Sequence, residues 1–183
     1  PEVVAVGPEL LNRAHVGVSI VTGGLELLRP GAPITVEHRP LGDGVAVALA
    51  TGDLDGNDWP DVIIALQDGV VILRGEEGGL APAQRLVHEG PAFVAMATAD
   101  FDGDGRVDAR IVDGEGRLYS LTRSFAGAIE LAALPLEQGR TPMRTLTAGD
   151  VDGDGRPDLV GVTAPADGPP VIVSQLSSRD YLE

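Results

Sequence analysis

Three acidic segments recur along the chain, and they constrain its fold more than any other feature. They read Asp53-Leu-Asp-Gly-Asn-Asp-Trp-Pro-Asp61, Asp100-Phe-Asp-Gly-Asp-Gly-Arg-Val-Asp108 and Asp150-Val-Asp-Gly-Asp-Gly-Arg-Pro-Asp158. Their first residues lie 47 and 50 positions apart, a spacing that suits one four-stranded blade per repeat. The match extends outward from the loops. Upstream stand Val47-Ala-Leu-Ala-Thr-Gly52, Val94-Ala-Met-Ala-Thr-Ala99 and Arg144-Thr-Leu-Thr-Ala-Gly149, and downstream stand Val62-Ile-Ile-Ala65, Ala109-Arg-Ile-Val112 and Leu159-Val-Gly-Val162. The repeating unit is therefore strand, acidic loop, strand, turn, strand, turn, strand. In the middle unit it predicts strands over 93–99, 109–113, 117–122 and 129–134, with the turn Asp113-Gly-Glu-Gly-Arg117 joining the second to the third.

The rest of the chain agrees with an all-β reading. The 25 Gly and 14 Pro fall as punctuation between short runs of Val, Ile, Leu and Ala, the pattern of many short strands joined by turns. No apolar run keeps three-to-four spacing over ten positions between capping signals. With 183 residues, 43% of them hydrophobic, and no Cys, the chain can bury a core without disulfides. Pro1-Glu-Val-Val-Ala-Val6 aligns with Pro157-Asp-Leu-Val-Gly-Val162, so the sequence opens just after a loop position. Residues 7–24 fit the unit poorly and read as an insertion at a turn, and the last unit runs out near Gln175. The expected division is a single region over 1–183, with a partial blade at 1–40, blades at 41–90 and 91–140, and a partial blade at 141–183. That is about three and a half four-stranded blades, and closed propellers have four to eight. Bare strand edges invite pairing, so the expectation is part of a longer propeller or one completed by another chain.

Asp at alternate positions with Gly between them has a chemical meaning. In Asp-x-Asp-x-Asp-x-x-x-Asp a tightly curled loop can direct the side chains of positions 1, 3, 5 and 9 and the carbonyl of position 7 to one point. Several carboxylate oxygens in a flexible cage suit calcium, whereas magnesium demands a stricter octahedron. Gly103, Gly105, Gly153 and Gly155 permit the positive φ that such a curl requires. The first loop departs from the pattern, with Asn57 at position 5 and Asp58 where the others have glycine. Its ligand set would carry three negative charges against four in each of the others, and it is expected to be the weakest site. Three divalent ions would bring the formal net charge from -15 to -9. The acidic balance of 28 Asp+Glu against 13 Lys+Arg would repel nucleic acid and anionic membranes. Stretches such as Val45 to Ala50 and Val62 to Leu66 fall far short of the roughly 20 residues of a membrane-spanning helix.

Two other readings of the loops fail on their surroundings. An EF-hand needs a bidentate Glu at position 12, where this chain has Ile64, Ile111 and Gly161. The Asp-x-Asp nucleophile and acid pair of haloacid-dehalogenase-like phosphatases needs one site on a parallel sheet with helices, not three copies in an all-β chain.

The segments Thr51-Gly-Asp-Leu-Asp-Gly56, Ala99-Asp-Phe-Asp-Gly-Asp-Gly-Arg-Val-Asp108 and Ala148-Gly-Asp-Val-Asp-Gly-Asp-Gly-Arg-Pro-Asp-Leu-Val-Gly-Val162 resemble FG-GAP/VCBS repeats, as in integrin α-subunit propellers and many bacterial surface proteins. The resemblance covers residues from about 40 to 175. It implies a β-propeller in which each calcium loop lies between neighbouring strands of a blade, with three Ca²⁺ sites. The implied ligands are Asp53, Asp55, Asn57, Asp61 and the Trp59 carbonyl, then Asp100, Asp102, Asp104, Asp108 and the Arg106 carbonyl, then Asp150, Asp152, Asp154, Asp158 and the Arg156 carbonyl. Asn57, Asp58, Ala99 in place of the usual glycine, and weak Phe-Gly and Gly-Ala-Pro elements are departures from the family pattern.

The leading functional expectation is a non-enzymatic, calcium-stabilised module for protein binding or assembly, placed outside the cytoplasm: extracellular, periplasmic or at the cell surface. The fold alone does not settle this. A second expectation is a carbohydrate-binding, lectin-like propeller. The candidate aromatics for that role are few: Trp59, Phe93, Phe101, Tyr119, Phe125 and Tyr181. A third is a non-catalytic accessory part of a polysaccharide-acting enzyme. Catalysis by the chain itself finds little support. His15, His38 and His88 share no metal-ligand spacing, and Ser19, Ser120, Ser124, Ser174, Ser177 and Ser178 lack a nucleophile elbow. Arg110 stands where matching units have Ile63 and Val160. It is expected to line a channel, pair with an acid or face a partner.

Overall fold

The structure is a computed structural model that describes residues 2–8, 15–22, 35–135, 143–163 and 168–175, with the backbone alone described for 2–8, 15–22, 35–40, 42 and 175. The described residues form sixteen strands and no helix. The first sheet is β1 (Glu2–Pro8), β2 (His15–Thr22) and β3 (Thr35–Asp43), antiparallel in that order. The second is β4 (Ala46–Gly52), β5 (Asp61–Leu66), β6 (Gly69–Leu73) and β9 (Gln84–Val87), with a two-stranded ribbon of β7 (Gly75–Glu76) and β8 (Gly79–Leu80) inserted before β9. The third is β10 (Phe93–Ala99), β11 (Asp108–Asp113), β12 (Leu118–Arg123) and β13 (Ile129–Ala133). The fourth is β14 (Met143–Gly149), β15 (Asp158–Thr163) and β16 (Val171–Gln175). The fold is thus all-β, built of propeller-like antiparallel blades.

Each blade is a meander because short turns allow only neighbouring antiparallel pairing. The repeat is visible in its irregularities as well. The register of the leading strand slips at the same place in three sheets, between Ala46 and Ala48, between Phe93 and Ala95, and between Met143 and Thr145. Such a bulge increases local twist. β10 packs against β4 on one side and β14 on the other. β1 packs against β4 as β5 does against β10 and β11 against β14, so β1 occupies a second-strand position, in keeping with its alignment to Pro157–Val162. The part of residues 7–24 that reads poorly as a repeat includes β2, which pairs with both β1 and β3. Residues 9–14 and 23–34 of that region lie outside the described residues.

The core lies between blades. β5 and β6 are buried on both faces, which explains their unbroken apolar runs. One face sends Val62, Ile64, Leu66, Val71 and Leu73 toward Leu41, Ala46 and Leu49. The other sends Ile63, Val70 and Ile72 into a cluster with Ala109, Ile111, Leu121 and Ile129 of the third sheet. Leu54, at the second position of the first acidic loop, is fully buried in that same cluster. At the cluster's edge the His88 ring stacks on Phe93 at 4.2 Å and meets the edge of Tyr119 at 4.8 Å.

Candidate metal centres

Each acidic loop joins the first two strands of its blade, and its conformation follows from hydrogen bonds that repeat from loop to loop. The carboxylate at position 1 accepts successive backbone N–H groups. Asp53 takes those of Gly56 at 2.7 Å, Asn57 at 3.1 Å and Asp58 at 2.9 Å. Asp100 does the same for Gly103, Asp104 and Gly105, and Asp150 for Gly153, Asp154 and Gly155. The carboxylate at position 9 ties the loop's start to its end, accepting from Leu54, Phe101 or Val151. The curl demands positive φ at positions 4 and 6. Gly103 and Gly105 adopt 78° and 84°, and Asp58 is held at 68° where its counterparts are glycine, a conformation that Asp tolerates better than most residues.

These bonds bring three carboxylates of every loop together. Asp53, Asp55 and Asp61 each offer an oxygen within 4.8 Å of the others, as do Asp100, Asp102 and Asp108, and Asp150, Asp152 and Asp158. The three groups are loop positions 1, 3 and 9. Position 5 is engaged with the backbone of position 7: Asn57 Oδ1 accepts from Trp59 N at 2.8 Å, Asp104 Oδ1 from Arg106 N at 2.9 Å, and Asp154 Oδ1 from Arg156 N at 2.9 Å. Asp104 also pairs with the Arg106 guanidinium. Trp59 is 47% exposed, while Arg106 and Arg156 are half-buried.

The electrostatics are those of a site short of positive charge. Burial pushes the Asp108 carboxyl up to about 6, and Asp102 adds to the shift, against relief from Arg110 and the Phe101 N–H. Asp61 is raised too, chiefly by burial, and Asp55 and Asp53 contribute. Asp55 Oδ1 is buried without a hydrogen-bond partner, whereas its counterparts in Asp102 and Asp152 accept from Asp104 N and Asp154 N at 3.1 Å. A sealed, unpaired carboxylate oxygen costs several kcal/mol in the absence of a cation. An all-oxygen set with such an oxygen fits a hard divalent ion.

Arg110 rests beside the second site. Its guanidinium lies 4.7 Å from the centroid of the Phe101 ring and donates to Ser120 Oγ. Burial lowers its pKa, while Asp108 and Asp102 favour its charge.

Sequence reasoning missed Gly75. Its N–H donates to Asp61 Oδ1 at 2.7 Å, and its carbonyl accepts from Asn57 Nδ2 at 2.9 Å. A Cβ there would come within 2.4 Å of the Pro60 carbonyl oxygen. The only signal was the glycine-rich stretch Gly75-Glu-Glu-Gly-Gly79.

No curated protein matches the chain. Residues 53–109, from the start of the first loop through β5 to β10 and the second loop, match the family model of the FG-GAP-like repeat.

Proposed function

We propose that this chain is a calcium-stabilised module for protein binding or assembly, non-enzymatic, working outside the cytoplasm. The observation that carries the metal is Asp55 Oδ1, buried and unpartnered inside a three-carboxylate group. Calcium supplies positive charge to clustered oxygens, and the protein's own residues curl the loop and fix the strands on either side. Loops of this kind in extracellular modules bind with Kd of about 10⁻⁴ to 10⁻³ M, which points to a compartment with millimolar free calcium.

Assembly is supported by the fourth sheet. Val151, Val162 and Ile172 are 56%, 36% and 74% exposed. In the second sheet the same register positions hold Leu54, Ala65 and Val70, all fully buried. There the third sheet covers the face; among the described residues nothing covers it on the fourth. A further blade or another protein's apolar surface would bury it.

Thermal unfolding in EDTA and across a calcium series, with mass determined in the same buffers, tests the reading. Calcium is expected to raise Tm steeply into the millimolar range. An unchanged Tm sinks the metal assignment. A protein that neither self-associates nor recovers a protein ligand in millimolar calcium sinks the assembly role.

A further inference from the structure

A cleft of about 240 Å³ opens between the second and third sheets, next to the first acidic loop. Its walls hold Asp55 from that loop, Arg74 just after β6, Gln84 at the start of β9, and Arg123 and Ile129 from the hairpin between β12 and β13. Neither Arg74 nor Arg123 forms an ion pair or side-chain hydrogen bond among the described residues, while Arg85, Arg106 and Arg117 each pair with a carboxylate. In a chain of net charge -15, two unengaged guanidinia at one cavity form a local site for an anion.

Two exposed aromatics neighbour cleft residues without lining the cleft. Phe125 stands fully in solvent at the tip of the turn that carries Arg123. Trp59, 47% exposed, sets its Cβ against Gly75, the neighbour of Arg74. Among the described residues these are the two exposed aromatic side chains.

We propose that this cleft binds a small hydroxylated carboxylate, the chemistry of a sugar acid. The carboxylate lies between Arg74 and Arg123, whose planar forks match two oxygens at once. A bare carboxylate would also meet Asp55 with like charge. A hydroxyl donates to Asp55 and exchanges hydrogen bonds with Gln84, so a ligand carrying both groups satisfies every polar wall. The volume lies below the roughly 300–1,000 Å³ of pockets for drug-sized ligands and suits one sugar-sized unit. Ala128 and Ile129 in the wall offer apolar surface to the C–H face of a pyranose. Arg74, Arg123 and Gln84 lie outside the acidic loop, so the cleft can hold the carboxylate with or without a metal there.

Calorimetry on the full chain with D-glucuronate, run once in millimolar calcium and once in EDTA, tests the proposal. Glucuronate is expected to bind at least about tenfold more tightly than glucose, which lacks the carboxylate, or glutarate, which lacks the hydroxyls. Arg74→Gln and Arg123→Gln are each expected to weaken it about tenfold at unchanged Tm, and Arg123→Lys to restore only part of the loss. Should either glutamine variant lower Tm, Gln84→Ala, which removes a hydrogen-bonding group from the wall, carries the test with an expected loss of several-fold. A glucuronate-ended disaccharide that binds more tightly than the free acid identifies a glycan terminus as the source, and equal affinity identifies the free acid; both support the proposal. Absence of glucuronate binding in both buffers overturns it whether or not calcium shifts Tm, as does equal binding of glutarate or affinity indifferent to the substitutions.

Discussion

Asn57 uses both ends of its amide, with Oδ1 accepting from Trp59 N and Nδ2 donating to the Gly75 carbonyl. The residue that removes a charge from the first loop's ligand set thereby anchors the ribbon of β7 and β8 to the loop. Asn57→Asp restores the charge of the other loops but turns a carboxylate oxygen toward a carbonyl oxygen. Urea unfolding in EDTA is expected to find the variant less stable by about 1–2 kcal/mol, with saturating calcium narrowing the gap. Equal stability in EDTA would show that the amide does not hold the ribbon. The acidic pattern of the loops was legible in the sequence because each loop closes on itself through bonds between residues at most seven apart. The role of Gly75 was not, because it acts across 18 positions through backbone atoms that every residue type carries.

At the scale of the element, position 2 of each loop reports what covers its blade. Leu54 is buried against the third sheet, whereas Val151 is 56% exposed. Leu54→Ala is expected to cost about 2–5 kcal/mol through the lost packing and the cavity left behind. Val151→Ala is expected to stay within about 0.5 kcal/mol in the isolated chain, and denaturant midpoints check both. A large loss at Val151 would mean that its face is already covered in solution. The strands predicted over 93–99, 109–113, 117–122 and 129–134 agree with β10 to β13 to within one residue at each end. They were readable because turn residues and apolar runs alternate three times over. β2 was not, because its segment lacks a counterpart in the other units.

At the scale of the molecule, the balance of charge governs stability. A carboxyl whose folded pKa lies above its ordinary value holds its proton longer in the folded state than in the unfolded one. Asp108, moved from 3.8 to about 6, and Asp61, raised as well, therefore stabilise the fold most below pH 4. That contribution is lost as the pH rises toward 6. In EDTA, Tm is expected to be higher at pH 5 than at pH 7. In saturating calcium the order is expected to reverse, because protons compete with the ion for the same oxygens. A scan of Tm against pH in the two buffers decides the matter, and a metal-free protein more stable at pH 7 contradicts the raised carboxyls.

The first two loops also lean on one another. The Asp53 carbonyl accepts from Val107 N at 2.8 Å, the Val107 side chain fills the space beside Gly52, and Arg106 lies over Gly56. Order gained by one loop is thus passed to the other through a shared wall, whereas no neighbour stands within 4 Å of the Cβ positions at Gly103 and Gly105 in the second loop, so the third loop builds no such wall against it there. A calcium titration followed by calorimetry is expected to find the first two loops filling together with a Hill coefficient above one and the third titrating by itself. Three identical independent sites would contradict the coupling.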